Sequence, residues 1–140
     1  MTPFDAALAY AAMGWAVFPL HTVVEGVCSC GSPDCKQRGK HPRTLHGFKD
    51  ATTDPATIRA WFEEWPDSNI GIATGKVSGF FVVDLDVKDG KDGRARFAQL
   101  TEEHGPVPDT LIQDSGGGGE HLFLRYPADG SVGIGTNLLR

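Results

Sequence analysis

Cys28, Cys30, Cys35 and His41 place three thiols and one imidazole within 14 residues. Three thiolates and an imidazole are the donor set of a closed tetrahedral zinc site. Gly31 and Pro33 help the chain reverse between the second and third ligands, and Gly39 lets it return with His41. Two other states compete with zinc: reduced, unligated thiols, or a Cys28–Cys35 disulfide that leaves Cys30 unpaired and suits an oxidising compartment. His21 and His46 are reserve fourth ligands, one on the wrong side of the loop and one farther from Cys35.

The second group is Asp84 and Asp86, at the end of the apolar run Phe80-Phe81-Val82-Val83. Residues two apart on a strand share a face, so both carboxylates are expected to point together while Leu85 turns into the core. Such a pair suits Mg²⁺ or Mn²⁺ shared with substrate phosphates. The plainer reading is that acids mark where a strand emerges into water. The uniform run predicts a central strand.

A third group is Ser115-Gly116-Gly117-Gly118-Gly119, followed two residues later by His121. Backbone without Cβ atoms can bring N–H groups against a polyphosphate, and the hydroxyl and imidazole add polar contacts at the same mouth. The run lacks the Lys-Ser/Thr ending of a Walker loop and leads into a strand, which excludes ordinary P-loop chemistry. A simple hairpin turn is the alternative. Lys36, Arg38, Lys40, Arg43 and Lys49 add five cations in 14 residues, a path for template or triphosphate, or else a solvated loop.

These groups need elements to hold them. Thr2-Pro3-Phe4-Asp5 predicts a capped helix that stops at Gly14. A short strand is expected over 15–20, an aperiodic loop over 21–47, and a helix from Asp54-Pro55 to Glu64. Strands at 69–74 and 80–87, a helix over 93–104 closed by Gly105, and strands at 110–114 and 120–126 complete an α/β alternation. With 140 residues and 40% hydrophobic content, one compact domain over 1–140 is expected. No apolar run reaches membrane-spanning length and no signal peptide is visible, so the reading is cytoplasmic, with no membrane partner. The net charge of −5 argues against a non-specific coat on nucleic acid but not against a local basic surface.

Taken together, the segments Ala-Tyr-Ala-Ala-Met-Gly-Trp-Ala-Val-Phe-Pro-Leu at 9–20, Cys-Ser-Cys to Gly-Lys-His-Pro at 28–42, Gly-Phe-Lys-Asp-Ala-Thr-Thr-Asp-Pro at 47–55, Asn-Ile-Gly-Ile-Ala-Thr-Gly at 69–75, Val-Asp-Leu-Asp at 83–86 and Ser-Gly-Gly-Gly-Gly-Glu-His-Leu-Phe at 115–123 carry a resemblance. The chain resembles the N-terminal domain of bifunctional DNA primase/polymerases, the prim-pol branch of the archaeo-eukaryotic primase superfamily. The resemblance implies an α+β fold: an RRM-like catalytic module with an N-terminal α/β unit and the zinc loop 21–47 inserted in it. It implies nucleotidyl transfer from (d)NTPs in replication of a phage, plasmid or other mobile element. Asp84 and Asp86 match the first motif's metal ligands. His121 and the preceding Ser115–Gly119 run match the second motif, which contacts the incoming triphosphate, with Lys49 expected to assist. DNA template and primer, nucleoside triphosphates and a downstream helicase domain are the implied partners.

The family places a third acid on a later strand, in a Gly-hydrophobic-Asp-hydrophobic-Arg context. Here Asn137-Leu138-Leu139-Arg140 stands where that segment is expected, and neither Asp114 nor Asp129 has the context. The expectation is a C-terminally truncated domain that is weak or inactive alone. Two rival functions follow: a zinc-stabilised nucleotide- or nucleic-acid-binding module without catalysis, or a metal-dependent nuclease.

Overall fold

The computed structural model describes residues 1–135. Two compact units divide the chain, Met1–Gly79 and Phe80–Arg140.

The first unit contains α1 (Pro3–Ala12), β1 (Val17–Leu20), β2 (Val23–Val24), β3 (Val27–Cys28), a 3-10 turn (Gly47–Asp50), α2 (Pro55–Glu64) and β4 (Asn69–Ile72). Both helices start as their sequences predict. Asp5 N–H donates to Thr2 Oγ1 at 3.1 Å while Thr2 N–H donates to Asp5 Oδ2 at 2.9 Å, a reciprocal cap that satisfies two otherwise orphaned donors. Asp54 caps α2 through Thr57 N–H at 2.9 Å. The small faces of Ala7 and Ala11 let α1 approach Ile58 and Phe62 of α2 and Val17 of β1, forming the main core.

β1 pairs antiparallel with β4, and Phe18 stands opposite Gly71. A Cβ on Gly71 would lie 2.6 Å from Phe18 Cζ, so the glycine makes room for the ring. The other edge of β1 is covered by an irregular segment: Val17 bridges Thr52, Leu20 bridges Pro42, and Arg43 N–H donates to Pro19 O at 2.9 Å. Buried Ser78 ties the unit's end to its start, accepting from Ala16 N–H at 2.9 Å. The loop expected to be aperiodic contains a hairpin: β2 pairs with β3 across Glu25 and Gly26, both at positive φ, 50° and 79°. Two consecutive left-handed residues match the twist of a tight hairpin.

The second unit contains β5 (Phe80–Leu85), α3 (Gly93–His104), β6 (Ile112–Asp114) and β7 (Glu120–Arg125). The sheet is antiparallel in the order β5-β7-β6. The sequence predicts β5 as central; among the described residues β7 is the middle strand and β5 lies at an edge. The apolar run is explained by cover on both sides of β5: Phe80 and Leu85 are buried, and Phe80 packs on Phe123 of β7 at 5.3 Å. α3 starts so close to the end of β5 that a Cβ on Gly93 would sit 2.9 Å from Asp86 O. It ends at Gly105, at φ 100°, whose N–H reaches Thr101 O. The fold is mixed α/β, built from small antiparallel sheets and helices. Among the described residues no helix is long and apolar enough to cross a membrane.

Candidate functional site

The first unit brings its predicted metal ligands together. One donor atom from each of Cys28, Cys30, Cys35 and His41 lies within 4.8 Å of the others. Nε2 of His41 is 3.5 Å from Sγ of both Cys28 and Cys35. A zinc tetrahedron with Zn–S bonds of about 2.3 Å has edges near ~3.8 Å, so the group fits zinc with little adjustment. All three cysteines are free thiols, without a Cys28–Cys35 bond.

Local backbone explains the convergence. The β2–β3 hairpin carries Cys28 into the interior, Gly31 N–H turns the chain back onto Cys28 O at 3.0 Å, and Gly39 N–H points at Cys28 Sγ at 3.5 Å. Donors from Cys30 and Gly39 lower the Cys28 thiol to about 6, while burial raises that of Cys35. The reserve ligands are engaged elsewhere. His21 stacks on His41 at 4.3 Å and bonds Ser29 Oγ through Nδ1, and His46 pairs with Asp50 at 3.1 Å. Arg38, expected on a nucleic-acid path, instead donates to the carbonyls of Gly26, Pro33 and Cys35 and braces the loop. Lys36, Lys40 and Lys49 are exposed, Lys49 on the 3-10 turn.

The second unit gathers the other predicted groups at one end of its sheet. Asp84 on β5 stands directly opposite His121 on β7, with Oδ1 3.6 Å from Nε2, and Gln113 on β6 stands opposite His121 on its other side. Directly opposed residues share a sheet face, so Asp84, His121 and Gln113 form one polar row. Asp86 lies just beyond β5. Its carboxylate accepts from Lys91 Nζ at 3.1 Å and Lys88 N–H at 3.2 Å, and these contacts, Lys91 foremost, hold its pKa below the ordinary carboxylate value.

The glycine run is an ordered turn joining β6 to β7. Ser115 N–H donates to Gly119 O at 2.9 Å, Gly118 N–H to Ser115 O at 3.0 Å, and Gly119 N–H to Ser115 Oγ at 3.1 Å. These bonds leave the N–H groups of Gly116 and Gly117 without a partner among the described residues. Ser115 keeps its hydroxyl proton for a further bond. Steric room explains two of the glycines: a Cβ on Gly119 would meet Leu85 O, and one on Gly117 would meet the Lys88 side chain.

Sequence reasoning missed Arg94. From α3 it donates to Gly118 O at 2.9 Å and pairs with Glu120 at 2.8 Å, clamping the turn to the helix. The first turn of that helix holds two arginines, Arg94 and Arg96, and nothing in the sequence sets Arg94 apart. Among the described residues, neither Asp84 nor Asp86 belongs to a metal-sized group of three or more carboxylate, thiol or imidazole donors. Asp114 is exposed at the end of β6 and Asp129 accepts from Ser131 N–H at 3.0 Å. The segment 137–140, where the third acid is expected, lies outside the described residues.

Neither the curated proteins nor the solved structures yielded a match. The family model for the N-terminal domain of bifunctional DNA primase/polymerases matches residues 7–140, nearly the whole chain and every group described above. The chain therefore belongs to the bifunctional DNA primase/polymerase N-terminal family.

Proposed function

We propose that the second unit carries the nucleotidyl-transfer centre of a DNA primase/polymerase, acting in the cytoplasm in replication of a phage, plasmid or other mobile element. The observation that carries this reading is the Asp84–His121 pair across β5 and β7, with the Ser115–Gly119 turn two residues before His121. A carboxylate, an imidazole and unpaired backbone donors at one sheet end can bind a metal-bound triphosphate. Asp84 and Asp86 would hold Mg²⁺ or Mn²⁺, which when bound stabilises charge on the attacking and leaving oxygens.

The chain's own groups have separable tasks. Asp86, kept ionised by Lys91 and Lys88 N–H, offers a ready carboxylate. The N–H groups of Gly116 and Gly117, the Ser115 hydroxyl and the Lys88 ammonium offer donors to phosphate oxygens. Gly118 and Gly119 spend their N–H groups on the turn's own shape. His121 Nε2 can hold a proton beside Asp84 Oδ1 and donate it to an anionic oxygen of the triphosphate. Lys49 supplies a further cation for triphosphate or template. Zinc at Cys28, Cys30, Cys35 and His41 is structural, ordering a loop that has little apolar core of its own. The third carboxylate is proposed to come from outside the described residues, and a helicase-like segment to follow in the parent protein.

The test is incubation of labelled primed DNA with Mn²⁺, with and without deoxynucleoside triphosphates, products being resolved by length. The reading predicts triphosphate-dependent lengthening that is weak for residues 1–140 and rises when a strand bearing the third acid is appended. Shortening without triphosphates would establish the nuclease instead. Triphosphate binding with no lengthening in either form would leave a binding module.

A further inference from the structure

We infer that a cleft in the first unit, walled by Trp61 and Trp65, seats an unpaired nucleobase of single-stranded DNA. The inference rests on the primase/polymerase reading only in taking DNA as the polymer, and it assigns the template strand a site remote in sequence from the triphosphate groups.

The cleft has a volume of about 470 Å³, lined by Arg43, Leu45, Trp61, Glu64 and Trp65 among others. It is a shallow cleft open to solvent, a shape that admits a flat ring at the surface. Two of the chain's three tryptophans line it; the third, Trp15, stacks on Tyr10 at 5.7 Å. Trp61 lies in the last turn of α2 and Trp65 is the residue that ends it, its N–H donating to Trp61 O at 2.8 Å, and both line the cleft. Leu45 completes an apolar rim and is 90% exposed, leaving a large aliphatic side chain uncovered beside the indoles.

The polar groups fit a nucleotide better than an apolar peptide. Arg43 lies 5.7 Å over the Trp65 ring, fixed there by bonds from Nε to Leu20 O at 3.2 Å and from Nη2 to Ser29 Oγ at 2.9 Å. Its Nη1 has no partner among the described residues, so two donors remain on a residue that lines the cleft. Asp50 on the same wall is occupied by His46, which lowers its pKa through backbone and ring contacts. Glu64 remains as an acceptor suited to the amino hydrogens of a base. Of the five Lys and Arg in residues 36–49, Arg38 braces the loop through three carbonyls, Lys36, Lys40 and Lys49 are exposed, and Arg43 lines the cleft. Aromatic faces beside a cation are what sequence-tolerant single-strand binding uses.

The test follows intrinsic tryptophan fluorescence of the full chain while oligothymidylate is added, in parallel with a duplex of equal length. The expected result is quenching by the single strand at concentrations where the duplex has little effect. Leu45→Asp, at a position too exposed to affect folding, and Trp65→Ala should each weaken single-strand affinity by about tenfold, and Trp65→Phe should retain most of it. Equal affinity in wild type, Leu45→Asp and Trp65→Ala would overturn the assignment, as would equal losses for single strand and duplex. If wild type still binds triphosphate with Mn²⁺ in that event, the cleft alone is refuted. Wild-type protein that binds neither DNA nor triphosphate would refute the primase/polymerase reading as well.

Discussion

Lys88 occupies the space that a Cβ on Gly117 would need, so its side chain lies against the bare backbone of the glycine turn. The amine of a long, flexible side chain is thereby parked beside two unpaired N–H groups. Gly117→Ala is expected to keep the fold, because Lys88 can swing aside, yet to weaken triphosphate binding several-fold. Gly119→Ala should behave differently, since its Cβ meets the Leu85 backbone carbonyl and strains the turn by roughly 1–3 kcal/mol. Thermal melts and triphosphate titrations on both variants check the contrast; unaltered triphosphate affinity in Gly117→Ala would remove Lys88 from the site.

Zinc content gives a second check. Purified protein should carry about one equivalent of zinc, as a four-ligand closed site requires, and Cys30→Ser should lower it. Elemental analysis finding no zinc, or full zinc in the variant, contradicts the assignment. Because Arg43 is tethered to Ser29, between the candidate ligands Cys28 and Cys30, chelation should also reduce single-strand affinity.

The Cys28, Cys30, Cys35 and His41 cluster also has a pH signature. The Cys28 thiol is lowered to about 6 in the folded chain, against about 8.5 when unfolded. A depressed folded value means the thiolate's contribution to stability is complete above the unfolded value and is lost as pH falls through about 6. Metal-free protein should therefore lose thiolate absorbance and stability on acidification across that window, and loaded protein should release zinc as its ligands protonate. A thiolate signal that disappears near the unfolded value would contradict the local donors found here.

The capped helices were legible because caps are local: Thr2 with Asp5, and Asp54 with Thr57, write their hydrogen bonds three residues apart. The grouping of Cys28, Cys30, Cys35 and His41 was legible for a similar reason, since all four lie within 14 residues. The β2–β3 hairpin was not, since two-residue strands are too short to show a period and Glu25-Gly26 is not a common pairing for its turn. The edge position of β5 depends on pairing with β7, some 40 residues away, which composition does not encode. Arg94 acts through a carbonyl and a carboxylate brought close only by folding, and Arg43, legible in the sequence only as one cation of a basic run, gains its tethers to Leu20 O and Ser29 Oγ the same way.

His121 offers a sharper test of the triphosphate site than its position alone. His121→Ala should weaken triphosphate binding in Mn²⁺ by about tenfold, as expected for loss of one charge-assisted hydrogen bond. Its exposure is moderate, so the melting temperature should change little. Titration giving equal affinities would leave the glycine run as a turn and nothing more.

The most direct measurement is calorimetric titration of a non-hydrolysable deoxynucleoside triphosphate into wild type, Asp84→Ala and Asp86→Ala, with and without Mn²⁺. The account predicts binding by wild type that is strengthened at least tenfold by Mn²⁺, and loss of that strengthening in each variant, because each removes a carboxylate that holds the cation. Binding that is indifferent to Mn²⁺, or a Mn²⁺ effect that survives in either variant, would contradict it.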